Sequence, residues 1–176
     1  MSETQPLPPE EIQVQRDILM QQAIDRQLSR LIQTGAKAVA TLKPASGKTL
    51  MQESQFRNVL NVARETSSVD VVTNFIRYQI GRTPSVWGTQ PTAFGPTLIR
   101  DIEDGAVVQA AHTVRDAIQA RLGAEMEAAS DVFDDAYIRL TRLYLGYAMR
   151  VFYYGKRREC AGDPTAWDQL FREEKE

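Results

Sequence analysis

The sequence predicts an all-α protein, a compact helical bundle of about five to six helices. Three observations carry this. Every long segment places apolar residues at helical spacing, no segment alternates apolar and polar residues like a half-buried strand, and stretches bearing proline or glycine punctuate the periodic ones. The chain divides into a tail, amphipathic helix and linker at 1–48, a helical bundle domain at 49–160 and an acidic C-terminal tail at 161–176.

Residues 1–9 are polar and carry Pro6, Pro8 and Pro9, which predicts a loose tail. Pro9 followed by Glu10 and Glu11 suits a helix start, where proline costs no hydrogen bond and acids meet the positive end of the dipole. Ile18, Ala23, Ile24, Leu28, Leu31 and Ile32 then mark a helix over about 10–34, ended by Gly35. The linker composition of 41–49 (TLKPASGKT) lets that helix dock loosely and swing, so deleting residues 1–40 is expected to leave a folded remainder. A second helix spans about 50–65, with Phe56, Val59, Leu60 and Ala63 inward. A third starts at Ser67 or Ser68 as N-cap and reaches Ile80. Residues 82–93 (RTPSVWGTQPTA) read as the main internal loop. Helices follow at about 95–103, 106–122 and 128–158, and Trp167, Leu170 and Phe171 suggest one more short docked helix.

Composition narrows the function. At 176 residues, 43 % hydrophobic and 25 % charged, the chain suits one domain with a core. A net charge of −2 means that any basic patch is local. The single cysteine, Cys160, allows no disulfide within the chain. The polar start MSETQPLPPEE is unlike a secretory signal, and no apolar run approaches the ~20 residues of a membrane span, so the expectation is a soluble cytoplasmic protein.

No catalytic constellation emerges, and the expectation is not an enzyme, with no cofactor and no metal. His112 stands without a partner ligand motif. SGKT at 46–49 lacks the glycine that a phosphate-binding loop needs, since position 42 is Leu42. Cys160 has basic neighbours but no histidine or acid arranged around it. Asp101, Glu103 and Asp104, and the Asp134–Asp135 pair, suit solvated faces or helix ends.

Two segments stand apart. On the third helix Val72, Phe75, Ile76 and Ile80 share one face, and Asn74, Arg77, Tyr78 and Gly81 share the other. Gly81 is explained either as a helix C-cap, with Arg77 and Arg82 complementing the helix end, or as part of a working face. On the last helix, residues 139–158 (RLTRLYLGYAMRVFYYGKRR) hold six basic residues and no acid. Arg139, Arg142, Gly146, Arg150, Tyr153 and Arg157 follow spacings of 3, 4, 4, 3 and 4, a narrow stripe in otherwise apolar surroundings. Arginine suits phosphates because its guanidinium is permanently charged and donates two hydrogen bonds at once. Glycine lets a backbone approach, and tyrosine stacks on a base or sugar. Asp135, four residues before Arg139, gives that arginine an intrahelical partner, whereas Arg150 has no acid three or four positions away. Arg142, Arg150 and Arg157 are therefore the expected phosphate ligands.

These motifs resemble the small helical subunit of type III CRISPR effector complexes of the A and D subtypes. Residues 54–57 (SQFR) are similar to its S-x-x-R pattern, residues 76–82 (IRYQIGR) to L-x-Y-x-x-G-R with isoleucine for leucine, and residues 146–154 (GYAMRVFYY) to its terminal aromatic–basic run, in the same order over about 49–158. The chain departs from the pattern in its 48-residue N-terminal extension, in an apparent insertion at 105–130 and in Arg150, where lysine is commoner. The resemblance implies a non-catalytic RNA-binding scaffold in an antiviral ribonucleoprotein. It would line the guide RNA–target RNA groove by backbone contacts, with other effector subunits and further copies of itself as partners. The site residues it implies are Arg57, Arg77, Arg82, Arg142, Arg150, Tyr153 and Arg157, with Arg77, Gly81 and Arg82 meeting the stripe of the last helix. A helical protein–protein adaptor using the same face and the equivalent B-subtype subunit are the alternatives.

Overall fold

Proline and the acids after it open the first helix, α1 (Pro9–Asp25), as expected. The computed structural model describes residues 9–44, 48–123 and 129–168. Leu170 and Phe171 lie outside them. α1 turns its Met20, Ala23 and Ile24 inward, while Ile18 is 52 % exposed and does not join the buried face. The chain turns at 26–27 and re-enters a second helix, α2 (Leu28–Ala40). The single helix expected over 10–34 is thus two, and Gly35 is interior to the second. Its role is close packing: a Cβ there would lie 3.3 Å from the Ala148 Cβ of the last helix. The end of α2 is instead closed by Thr41, whose N–H and Oγ1 both donate to the Ala38 carbonyl at 3.2 and 2.6 Å.

α3 (Glu53–Glu65) begins three residues later than its periodicity suggests, because Gln52 and Gln55 form a reciprocal capping box there. α4 (Val69–Arg82) follows Ser68, which occupies the N-cap position without a side-chain capping bond. It buries Val72 and Ile76 fully, with Phe75 and Ile80 half-buried beside them. Of the two readings of Gly81, the left-handed cap does not hold; the helix continues to Arg82, and the glycine φ is not positive. The breaker is Pro84, which pushes Thr83 out of the helical region (φ −136°, ψ 67°).

The expected loop contains a single helical turn, α5 (Pro84–Trp87), closed by Gly88 at φ 73°, where a Cβ would overlap that of Ala93 at 2.2 Å. α6 (Phe94–Glu103), α7 (Ala106–Leu122) and α8 (Ala129–Cys160) complete the order. Among the described residues there are seven helices of ten residues or more, one single turn and no strand. The all-α class is as expected; the helix number exceeds five to six because the N-terminal segment folds as two.

α8, 32 residues long, is the axis of the bundle, with α2, α3 and α7 packed along it. Aromatic rings chain through the core: Phe56 meets Phe94 at 5.4 Å and Phe152 at 5.8 Å, Trp87 stacks on Phe94 at 5.6 Å, and Phe152 meets Trp167 at 6.0 Å. One hydrophobic cluster runs from Met20 through to Trp167. The N-terminal helices and the start of the tail therefore share the core of the 49–160 segment, so the looseness expected of residues 10–34 gives way: Met20 and Leu31 have no exposure at all. The tail is described up to residue 168 and consists of turns to that point; the short helix expected around Trp167, Leu170 and Phe171 falls mostly outside the described residues. It is held by Trp167, whose Nε1 donates to Glu159 Oε2 at 2.6 Å, and that carboxylate also accepts from Thr49 N at 3.0 Å. Lys43 pairs with Asp168.

Candidate nucleic-acid interface

α3 lies antiparallel along the C-terminal half of α8. At one end Arg142 donates Nε to the Ala63 carbonyl and an Nη to the Thr66 carbonyl, both at 2.8 Å. At the other end the Glu53 carboxylate helps to raise the affinity of Arg157 for its proton, after the larger effect of the Tyr153 hydroxyl. This arrangement sets two rows of side chains beside each other. α3 contributes Glu53, Arg57, Leu60 and Arg64, one helical face at spacings of 4, 3 and 4. α8 contributes Arg142, Gly146, Arg150, Tyr153 and Arg157.

The residues differ in what already holds them. Arg139 pairs with Asp135 at 2.7 Å, the intrahelical bridge expected from spacing. Arg142 is committed to the last carbonyls of α3, where a cation also meets the negative end of the helix dipole. Its expected role as a free phosphate ligand is therefore corrected to that of a helix cap, though its side chain still borders the groove. Arg57 stands 4.0 Å from Glu53, a loose exposed pair. The Arg150 guanidinium lies 5.0 Å over the Tyr147 ring. Arg157 lies 5.1 Å over the Tyr153 ring and donates to its hydroxyl at 2.9 Å. Among the described residues neither Arg64 nor Arg150 has a carboxylate at ion-pair distance. Arg64 was not among the residues singled out from the sequence, although its position seven after Arg57 puts both on one side of α3.

At the middle of the groove Leu60, Arg64, Arg142, Leu143, Gly146, Tyr147 and Arg150 line a depression of about 200 Å³. Gly146 is half-buried in mid-helix, yet a Cβ built on it would have nothing within 4 Å. Packing within this chain gives no reason for a glycine there, in contrast to Gly35.

Arg77 and Arg82 do not join this groove. Arg77 donates to Glu103 of α6 at 2.6 Å and to Thr73 Oγ1 at 3.2 Å. Partial burial works to raise the Glu103 pKa, but the hydrogen bonds from Arg77 and Thr73 and the Arg77 charge together hold it below the ordinary value. Tyr137, beside them, is pushed up to about 12 by burial and by the Glu103, Asp70 and Asp104 carboxylates. Arg82 is exposed at the end of α4 and has no ion pair among the described residues. The expected meeting of Arg77, Gly81 and Arg82 with the stripe is thus corrected: the Arg77–Glu103 bridge turns this part of α4 towards α6.

Two larger cavities suit a polyanion less well. One, of about 600 Å³, is lined by Asp70, Asp131, Asp134 and Asp135 and repels phosphate. The other, of about 390 Å³, lies between residues 41–50 and 85–94, with Trp87 in its wall. No helix among the described residues is long and apolar enough to cross a membrane. Comparison with protein-family models, curated proteins and solved structures gives no match.

Proposed function

We propose that the α3–α8 groove binds the phosphate backbone of RNA, and that the protein is a non-catalytic scaffold subunit similar to the small subunit of type III CRISPR effectors. The observation that carries this reading is the alignment of Arg57, Arg64, Arg142, Arg150 and Arg157 across two antiparallel helices, with Glu53 the one acid in the two rows. Permanently charged guanidinium groups in a line match a repeating anion, and they read no sequence because phosphate contacts position without specifying. Tyr147 and Tyr153, each under an arginine, add faces on which a base or ribose stacks.

On this reading the groove faces the guide–target duplex in a cytoplasmic ribonucleoprotein, with other effector subunits and further copies of the chain beside it. By the same resemblance, cutting RNA belongs to other subunits of the assembly. A near-neutral net charge suits a subunit that meets RNA inside an assembly rather than capturing it alone. The B-subtype equivalent would use the groove in the same way. A protein–protein adaptor is the second reading, favoured by the exposed Val71 and Tyr78 on α4, since tyrosine beside arginine is a common interface anchor. The two separate on purification: RNA extractable from the protein, released by high salt and independent of sequence, supports the scaffold. Protein free of nucleic acid that fails to bind added RNA in low salt contradicts it.

A further inference from the structure

Gly146 raises a question that RNA binding in general leaves open. Glycine in a helix interior is unfavourable relative to alanine because it leaves more backbone freedom to lose. Such a glycine is ordinarily explained by a close neighbour, as Gly35 is by Ala148. Gly146 has no such neighbour, and it lines the depression together with Leu60, Arg64, Arg142, Leu143, Tyr147 and Arg150. The walls are unequal. Arg142 is held by two backbone carbonyls and forms a rigid positive edge. Arg64 comes from the other helix and has no carboxylate partner among the described residues, and Arg150 has only the Tyr147 face. A rigid cation, two cations free to close, an aromatic side and the open space at Gly146, with Leu60 and Leu143 completing the lining, are the parts of a seat for one anion.

We propose that this depression seats a single backbone phosphate of the bound RNA, with Arg64 and Arg150 closing on it from opposite helices and Gly146 giving it room. The assignment rests on the groove being an RNA site, and it names a place in that groove where a phosphate enters rather than passes over. Arg64 is then a binding residue, and Arg142 is a positioning residue that holds α3 against α8.

The test is fluorescence anisotropy of a labelled oligouridylate with the full-length protein, titrated over a range of salt. The variants are Gly146→Leu, Arg64→Gln and, as a control elsewhere in the groove, Arg157→Gln. Gly146→Leu puts the side chain of a good helix former into the depression and has space for its Cβ, so the melting temperature is expected to hold or rise. Affinity is expected to fall about tenfold or more, as for loss of a charge-assisted hydrogen bond, and the log–log salt slope to lose about 0.7, one phosphate on a single strand. Arg64→Gln is expected to do the same without touching Gly146. If both variants bind like wild type while Arg157→Gln is weakened, the groove is an RNA site and the seat is wrong. If wild type binds no oligouridylate in low salt, groove and seat fall together. Should Gly146→Leu lower the melting temperature, Arg64→Gln decides alone. Inorganic phosphate binding at these residues, without RNA binding, overturns the assignment to a backbone phosphate.

Discussion

Arg142 and Arg150 are two turns apart on the same stripe of α8, and their sequence surroundings are alike. Their partners are not. Arg142 spends its guanidinium on the carbonyls of Ala63 and Thr66, groups that end α3 and lack intrahelical partners. Arg142→Ala is therefore expected to cost about 1.5–3 kcal/mol, the range for hydrogen bonds to a charged group, read as a lower urea midpoint at unchanged slope. Arg150→Ala, which removes only an exposed contact with Tyr147, is expected to stay within about 0.5 kcal/mol. This difference was not legible in the sequence, because an intrahelical partner such as Asp135 for Arg139 can be counted along the chain, and a carbonyl on a distant helix cannot. The Arg77–Glu103 pair carries a pH signature. Glu103 has its pKa lowered in the folded state, so the bridge contributes fully above the ordinary value of 4.5 and is lost as pH falls through the lowered one. Glu103→Gln should remove that acid limb. The effect is about 1 kcal/mol or less, since Arg77 is half exposed. Asp101 has the opposite sign. Burial raises its pKa against the pull of the Tyr144 hydrogen bond at 2.8 Å, so its contribution is most favourable below the ordinary value of 3.8 and declines as pH rises through the raised one.

Helical periodicity showed where most elements lie, because the spacing of buried residues is a local signal. The boundaries followed other physics. α2 passes through Gly35, and α4 passes through Gly81, since glycine ends a helix only where the chain takes up a left-handed conformation, and neither residue does. What stops α4 is Pro84 acting on Thr83. The packing of α2 on α8 was invisible in one dimension, for it depends on Gly35 lying so close to Ala148 that a Cβ there would stand 3.3 Å from the alanine Cβ. Gly35→Val is accordingly expected to push the two helices apart and cost about 1–3 kcal/mol, with Ala148→Gly recovering part of the loss in the double variant. Deleting residues 1–40 removes Met20, Ile24, Leu31 and Val39 from the core. The outcome expected from the structure is loss of the cooperative thermal transition, in place of the folded remainder that the linker composition suggests.

Across the whole molecule, charge is sorted along the long helix. Asp131, Asp134 and Asp135 stand at its start, and residues 139–158 carry only positive charge. A net charge of −2 conceals this, because the sum discards position. The stripe itself could be read from the sequence, and Arg57 came with the resemblance, but the second row as a row could not, since Arg57 and Arg64 become neighbours of the stripe only when α3 folds back along α8. The central claim is that these two rows form one RNA-backbone site. Its most direct test is the variant Arg64→Glu/Arg150→Glu/Arg157→Glu, which leaves the structural Arg142 in place, compared with wild type for binding of oligouridylate and oligoadenylate by fluorescence anisotropy. Wild type is expected to bind both alike, with a log–log salt slope of about −0.7 for each phosphate engaged, and the variant, with its helical circular dichroism and melting unchanged, to bind neither in low salt. A variant that stays folded and binds both RNAs as tightly as wild type would contradict the account.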